Sequence, residues 1–101
     1  MGLFQKKVVR KVEGSMWGHL FKVHHIDVDT LSRDIRYVER EGTRDGGIPV
    51  TLLRVFSLRH AAEKKITVSG WEIFDQYPEL MLYEGYISKD QRNVSLSKKQ
   101  P

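Results

Sequence analysis

The chain has 101 residues, of which 40% are hydrophobic and 30% are charged. This length suits one domain with one core, and the balance is that of a globular protein rather than a disordered or fibrous one. The absence of cysteine excludes disulfides, thiolate zinc sites and thiol nucleophiles, so we expect a cytoplasmic protein.

The positive charge lies mainly at the two ends of the chain. The formal net charge is +4 at neutral pH, yet residues 13–88 carry nine basic and twelve acidic groups. Residues 1–12 hold four basic groups and no acidic one, and residues 89–101 hold four basic groups against Asp90. Attraction to phosphate is therefore expected from these end segments or from a local cluster of cations.

The N-terminal region is predicted to be helical. Apolar residues among the first twelve recur at near-helical spacing, which predicts a helix ending at Gly14, with a strand as the competing interpretation. Ser15 can cap a second helix, whose apolar face runs from Met16 to Val23. No stretch is apolar enough for a signal-peptide core or a membrane span, so we expect no membrane partner.

Residues 30–41 carry the clearest helical pattern in the chain. At about 100° per residue, an arc of about 80° holds apolar residues and an opposite arc of about 60° holds basic ones. The two sets are Val28, Leu31, Ile35 and Val38, and Arg33, Arg36 and Arg40. Two opposed faces predict an amphipathic helix, with Gly42 suited to its C-cap.

A strand is predicted over residues 48–56, which are rich in Val, Leu and Ile and have Pro49 near their start. The pair Asp45-Gly46 just before this segment is a strong turn signal. It leaves open an alternative in which residues 35–41 form the first strand of a hairpin. Apolar and polar residues alternate poorly there, which favours the helix.

The last third of the chain is predicted to contain a helix, two strands and a tail. Ser57 can cap a short helix that extends to Lys65. Residues 66–74 and 80–87 have the composition of strands, separated by a turn-like tetrad. Residues 88–101 are polar and without periodicity, so we expect a single domain at 1–87 followed by a disordered polar tail.

Residues 20–42, LFKVHHIDVDTLSRDIRYVEREG, resemble the helix-turn-helix of bacterial winged-helix repressors, especially the deoxyribonucleoside-operon and biotin-operon regulator types. The recognition helix of those families has the form T-[IL]-x-R-D-[IL]-R-x-[LV]-E-x-x-G. The matching positions are Thr30, Leu31, Arg33, Asp34, Ile35, Arg36, Val38, Glu39 and Gly42. The resemblance covers about a quarter of the chain.

The resemblance implies an α+β fold in which N-terminal helices with a helix-turn-helix-like unit precede a small, mainly antiparallel sheet. The second helix of such a unit enters the major groove while arginines reach phosphates and guanine edges. By this resemblance Thr30, Ser32, Arg33 and Arg36 face duplex DNA, with Arg40 on the same arc, and Leu20, Ile26, Leu31 and Ile35 are buried. We therefore predict a non-enzymatic nucleic-acid-binding domain of the kind that serves in transcriptional regulation.

Metal and catalytic sites have weaker support from the sequence. His19, His24 and His25 are followed by Asp27 and Asp29, which are all residue types that bind metals. His19 and His24 are five residues apart and do not share a helix face, so we predict no metal site there. No nucleophile, base and orienting acid stand in a recognisable arrangement, although a site could be assembled from scattered residues. Those residues are His60, Asp75 and Glu84. We expect no enzyme and no cofactor.

A homodimeric interaction or adaptor module is the alternative to nucleic-acid binding. In that case the arginines of residues 30–41 form only a solvated face, paired with Asp29, Asp34 and Glu39 at helical spacings. Residues 80–87 are rich in aromatic side chains. If they form an edge strand, they offer unpaired backbone groups to a second copy of the chain.

Overall fold

The structure, a computed structural model, describes residues 9–11 and 34–99. They form a five-stranded antiparallel sheet whose strands lie side by side in chain order. The strands are β1 (Arg10–Lys11), β2 (Ile35–Arg44), β3 (Ile48–Ser57), β4 (Met81–Ser88) and β5 (Val94–Lys98). The helices are α1 (Leu58–Glu63), α2 (Ile73–Gln76) and a 3₁₀ turn (Pro78–Leu80), and all three lie in the connection from β3 to β4.

The predicted fold, with N-terminal helices and a helix-turn-helix-like unit ahead of a sheet, is wrong. The described residues form mainly sheet, and their two short α-helices follow β3 instead of preceding the strands. Ile35 to Arg44 is a strand, so most of the helix expected over residues 30–41 is absent, and the fold that the repressor resemblance implies is not formed there. The helices expected over residues 1–14 and 15–23, and the positions Thr30, Ser32 and Arg33, lie outside the described residues.

Burial on both faces of the sheet explains why β2 lacks alternation. Ile35 and Tyr37 are buried on one face, and Val38 is buried on the other. A strand covered on both sides carries apolar residues at successive positions, and a pattern with period two disappears. The hairpin alternative is therefore the correct one.

The turn between β2 and β3 depends on residues with positive φ. Asp45, Gly46 and Gly47 have φ values of 42°, 84° and 106°. The amide of Gly47 donates a hydrogen bond to the carbonyl oxygen of Arg44 at 3.1 Å. Glycine adopts these angles without steric cost, so the sequence Asp-Gly-Gly fits a tight three-residue hairpin loop.

The sheet separates two apolar clusters. On the first face, β2, β3 and β4 contribute Ile35, Tyr37, Leu53, Val55, Tyr83 and Ile87. On the second face, Val38, Phe56 and Met81 pack against Ala61, Phe74 and Leu80 of the helical connection. The rings of Phe56 and Phe74 meet at a centroid distance of 5.4 Å and an interplanar angle of 58°. The helical connection therefore covers one end of the second face.

The connection begins with a capped helix. The Ser57 hydroxyl accepts from the amide of His60 at 3.1 Å and donates to the carboxylate of Asp34, which also accepts from the amide of Arg59 at 2.6 Å. Desolvation raises the pKa of Asp34. The hydrogen bonds that it accepts from Ser57 and from the Arg59 amide, together with the charges of Arg59 and Arg36, outweigh this effect, so the pKa lies below its usual value. The predicted cap at Ser57 is confirmed.

The expectation of a disordered tail over residues 88–101 needs correction, because β5 lies within it. β5 pairs with β4 from Ile87 opposite Val94 to Tyr83 opposite Lys98. Val94 and Leu96 pack against the cluster of the first face. A Cβ atom at Gly85 would overlap the carbonyl oxygen of Ser95, so the close approach of the two strands requires glycine.

Candidate functional site

Three arginines of β2 lie on the second face of the sheet. Arg36, Arg40 and Arg44 are separated by four residues each, and alternate residues of a strand point to one side. Successive members of this row are about 13 Å apart along the strand. Arg36 and Arg40 therefore do share a face, as predicted, but it is a sheet face. Arg36 is half-buried, and its Nη1 donates to the carbonyl oxygen of Ile35 at 3.3 Å.

The second face contains an open groove of about 530 Å³ beyond the end that the helices cover. We call it the arginine groove. Its residues come from three strands and from the connection: Arg40, Thr43, Arg44, Leu52, Arg54, Trp71, Asp75, Glu84, Gly85 and Tyr86. Three guanidinium groups, two aromatic rings and two carboxylates therefore line one concavity.

Arg54 is a structural cation at the inner end of the groove. Its Nε donates to Glu84 at 2.8 Å, and its Nη1 donates to the carbonyl oxygen of Trp71 at 2.9 Å and to Asp75 at 3.3 Å. The side chain is only 13% exposed. Two carboxylates compensate its charge, so Arg54 fixes Trp71 in place and adds little positive potential to the groove.

Arg40 has a different environment. It is exposed, and its guanidinium carbon lies 5.4 Å from the centroid of the Trp71 ring. Within residues 9–11 and 34–99, no carboxylate lies at ion-pair distance from it. The acidic neighbours on β2 bind elsewhere, because Glu39 pairs with Arg10 at 3.3 Å and Glu41 pairs with Lys89. The charge of Arg40 is therefore open to a ligand.

Arg44 stacks on the second aromatic ring of the groove. Its guanidinium carbon lies 4.9 Å from the centroid of Tyr86, and its Nη1 is 2.5 Å from the carboxylate of Asp45. Its Nε is buried without a hydrogen-bond acceptor. A donor without an acceptor has no hydrogen bond to lose, so turning this side chain toward an anion sacrifices only the stack and one exposed ion pair.

The apolar floor of the groove depends on a glycine. Gly42 pairs with Val50 in the neighbouring strand, and the side chain of Leu52 lies against the position where a Cβ of Gly42 would be. Leu52 can therefore lie across β2 between the exposed Arg40 and the half-buried Arg44. A larger residue at position 42 would push Leu52 into the groove.

The structure also places the residues that were considered for catalysis and metal binding. Asp75 and Glu84 lie together because both bind Arg54, whereas His60 is in α1, 4.0 Å from Glu63. Across 9–11 and 34–99 there is no group of three or more His, Cys, Asp or Glu arranged to hold a metal. His19, His24, His25, Asp27 and Asp29 lie outside the described residues.

Most of the groove could not be predicted from the sequence. Trp71 lies in residues 66–74, which were expected to form a strand, and Tyr86 lies in the aromatic-rich residues 80–87. The signal that was present is the four-residue spacing of Arg36, Arg40 and Arg44, which alternation places on one side of a strand. Residues 80–87 do not form the edge strand that the homodimer alternative considered, because β4 lies between β3 and β5.

Comparison of the chain with protein-family models, with curated proteins and with solved structures found no match. In the part of the chain that the structure describes, no helix is long and apolar enough to cross a membrane. The function is therefore argued from the chemistry of the arginine groove.

Proposed function

We propose that the protein is a non-enzymatic nucleic-acid-binding domain that contacts phosphates through Arg40 and Arg44 in the arginine groove. The observation that carries the proposal is the pair of cations on one concave face, each next to an aromatic ring. Arginine serves this role well because its planar guanidinium offers several donors to phosphate oxygens and stacks on aromatic faces.

The charge distribution supports this proposal. Arg54 is compensated by Asp75 and Glu84, which leaves as the cations that a ligand meets Arg40, without a carboxylate partner among the described residues, and Arg44, whose partner Asp45 is exposed. The whole chain carries a net charge of +4, and this excess favours the approach of a polyanion over longer distances. Lys89 contributes less than its charge suggests, because it binds Glu41.

The binding mode differs from the one that the repressor resemblance implies. No recognition helix is present at residues 35–44, so reading of the major groove by such a helix is not part of the proposal. Arg36 is partly buried beside the covered end, and Thr30, Ser32 and Arg33 lie outside the described residues, so of the expected contacts the proposal retains Arg40. Arg44 takes the second position.

A salt titration tests the proposal. Mixed-sequence 20-mers, single-stranded and duplex, are titrated with the protein from about 50 mM salt upward, where sequence-independent attraction is already measurable. We expect the double variant R40A/R44A to lose two phosphate contacts. The slope of log K against log salt should then flatten by about 1.4 on single strands.

The matched control is K64A/R92A, which removes the same charge from two exposed residues that do not line the groove. It should leave the slope nearly unchanged, because distant exposed charges are screened. Absence of binding to both forms by the wild type at about 50 mM salt would contradict the proposal. Equal losses in the two double variants would show that the groove is not the site.

A homodimeric interaction module is the second candidate. In the described part of the chain β5 pairs only with β4, so its outer edge offers backbone groups to a second strand. Ser95, Ser97 and Lys98 are exposed along it. The amide of Lys98 points away from β4, because the hydrogen-bonded pairs of the two strands alternate from Ser88 opposite Asn93 to Leu82 opposite Lys99. Sedimentation equilibrium tests this candidate: we expect a dimer that Lys98→Pro converts to a monomer, and a monomeric wild type would contradict it.

A further inference from the structure

We infer that the arginine groove takes single-stranded nucleic acid, with a base stacked on Trp71 in the place that the Arg40 guanidinium occupies without ligand. This inference rests on the proposed function and names the form of nucleic acid that the same site binds.

The shape of the site favours a single strand. Proteins read a duplex by placing a projecting helix or β-ribbon in one of its grooves. The arginine groove is instead a concavity of about 530 Å³ on a sheet, closed on one side by Trp71 and Asp75. An open concavity of this volume has room for one unpaired nucleotide laid along the sheet.

The two arginines at Trp71 differ in how firmly they are held. Arg54 lies 4.2 Å from the ring centroid and is fixed by hydrogen bonds to Glu84, Asp75 and the Trp71 carbonyl oxygen. Arg40 lies 5.4 Å from the same centroid and has no such bonds to other described residues. Arg40 is therefore the group that a ligand displaces.

When a base takes the place of the Arg40 guanidinium on Trp71, both the stacking on the ring and the electrostatic contact of Arg40 become stronger. A base stacked on an aromatic side chain is held more strongly than an exposed guanidinium over the same ring. The released Arg40 then meets the phosphate of the same or the next nucleotide as a charge-assisted donor. The Arg44 and Tyr86 pair offers the same exchange on the other side of the groove.

The carboxylates orient the strand. Asp75 is 64% exposed and lies at the inner end of the groove with Trp71, where it repels phosphate. Arg40 and Arg44 are on β2 at the other side, where they attract it. The base therefore points toward Trp71 and the backbone toward β2.

Tryptophan fluorescence tests the inference. The chain has two tryptophans, Trp17 and Trp71. We titrate the wild type and Trp71→Phe with a single-stranded 10-mer and with a hairpin duplex of the same composition at about 50 mM salt. The single strand should quench the wild type at saturation, and the quenching should disappear in Trp71→Phe while anisotropy still reports binding, because phenylalanine keeps an aromatic face.

Affinity measurements add a second readout. Trp71→Leu, checked for folding by circular dichroism, should weaken binding of the single strand by about 5- to 150-fold and leave the weaker duplex binding unchanged. If both forms bind equally well and neither quenches Trp71, the inference is overturned and the proposed function stands. If neither form binds, the proposed function fails and the inference fails with it.

Discussion

The two ends of the second sheet face are built on the same three strands and differ in what lies over them. At the covered end, Val38, Phe56 and Met81 pack under the helical connection. Only two residues further along β2, Arg40 is exposed. Along this face, the aliphatic side chains give way to arginines at the point where the helical connection no longer covers the sheet. The extent of the connection therefore determines where the groove begins.

Trp71 and Arg54 form the boundary between these ends. Trp71 packs against the apolar cluster with part of its surface and lines the groove with another part. Arg54 ties it to β4 through Glu84. Changes on the covered side should therefore affect stability, changes in the groove should affect binding, and changes at the boundary should affect both.

The largest expected effect is at the covered end. Phe74→Ala removes a fully buried ring that contacts Phe56, and we expect the free energy of unfolding to fall by about 3–5 kcal/mol. Urea unfolding measures it. Leu52→Ala, in the half-buried floor of the groove, is the control and should cost much less. Equal losses would contradict the distinction between the two ends.

The second-largest effect is expected on the first face of the sheet, from removal of β5. A chain that ends at Ile87 lacks β5 and exposes the cluster that Val94 and Leu96 cover. We expect a loss of about 2–4 kcal/mol in unfolding free energy, from the apolar surface returned to water and the missing strand. A chain ending at Lys99 keeps β5 and is the control. A melting temperature unchanged by the longer truncation would contradict the packing of β5.

The boundary should respond in both stability and binding. Arg54→Met removes the donor to Glu84 and to the Trp71 carbonyl oxygen, and we expect a loss of about 1–3 kcal/mol in unfolding free energy together with weaker oligonucleotide binding. Arg40→Met should weaken binding and change stability by less than about 0.5 kcal/mol. Denaturant titration measures the stability of both variants, and fluorescence anisotropy measures their oligonucleotide binding. Equal changes in stability and in binding for the two variants would contradict the distinction between Arg54 and Arg40.

The smallest effect concerns the cap of α1. Asp34→Ala removes the acceptor of the Arg59 amide and should lower the unfolding free energy by about 1 kcal/mol at neutral pH. Because the pKa of Asp34 is lowered in the folded protein, the stabilisation exists above the ordinary carboxyl pKa and is lost as the pH falls through the folded value. The difference from wild type should therefore shrink as the pH falls below the ordinary carboxyl pKa. A constant difference would rule out the charge of Asp34 as its source.

Parts of the fold could be predicted from local signals. The strand expected at 48–56 is confirmed as Ile48–Ser57, and the one expected at 80–87 is confirmed as Met81–Ser88. Both are dense in β-branched or aromatic residues, which favour strands in most contexts. The strand expected at 66–74 is wrong, because its apolar residues pack onto the sheet from the helical connection.

The rest depended on contacts that are distant in sequence. Residues 35–41 have opposed apolar and basic arcs in a helical projection, yet pairing with β3 makes them a strand. The groove could not be predicted from the sequence for the same reason. Arg40 and Trp71 are 31 positions apart and meet only because β3 and the connection bring them together, so no local pattern relates one to the other. Arg40 was predicted from its place on a helical arc with Arg33 and Arg36, not from any relation to Trp71.

The hairpin loop at 45–47 also bears on the order in which the protein forms during synthesis. Because this loop is so short, β2 and β3 can pair as soon as both have left the ribosome, with little loss of chain entropy. The arginine groove requires in addition Trp71 and Tyr86, so it is completed only after β4 has emerged. A nascent chain stalled after residue 65 has left the ribosome should therefore show protected amides in the hairpin but no affinity for oligonucleotides.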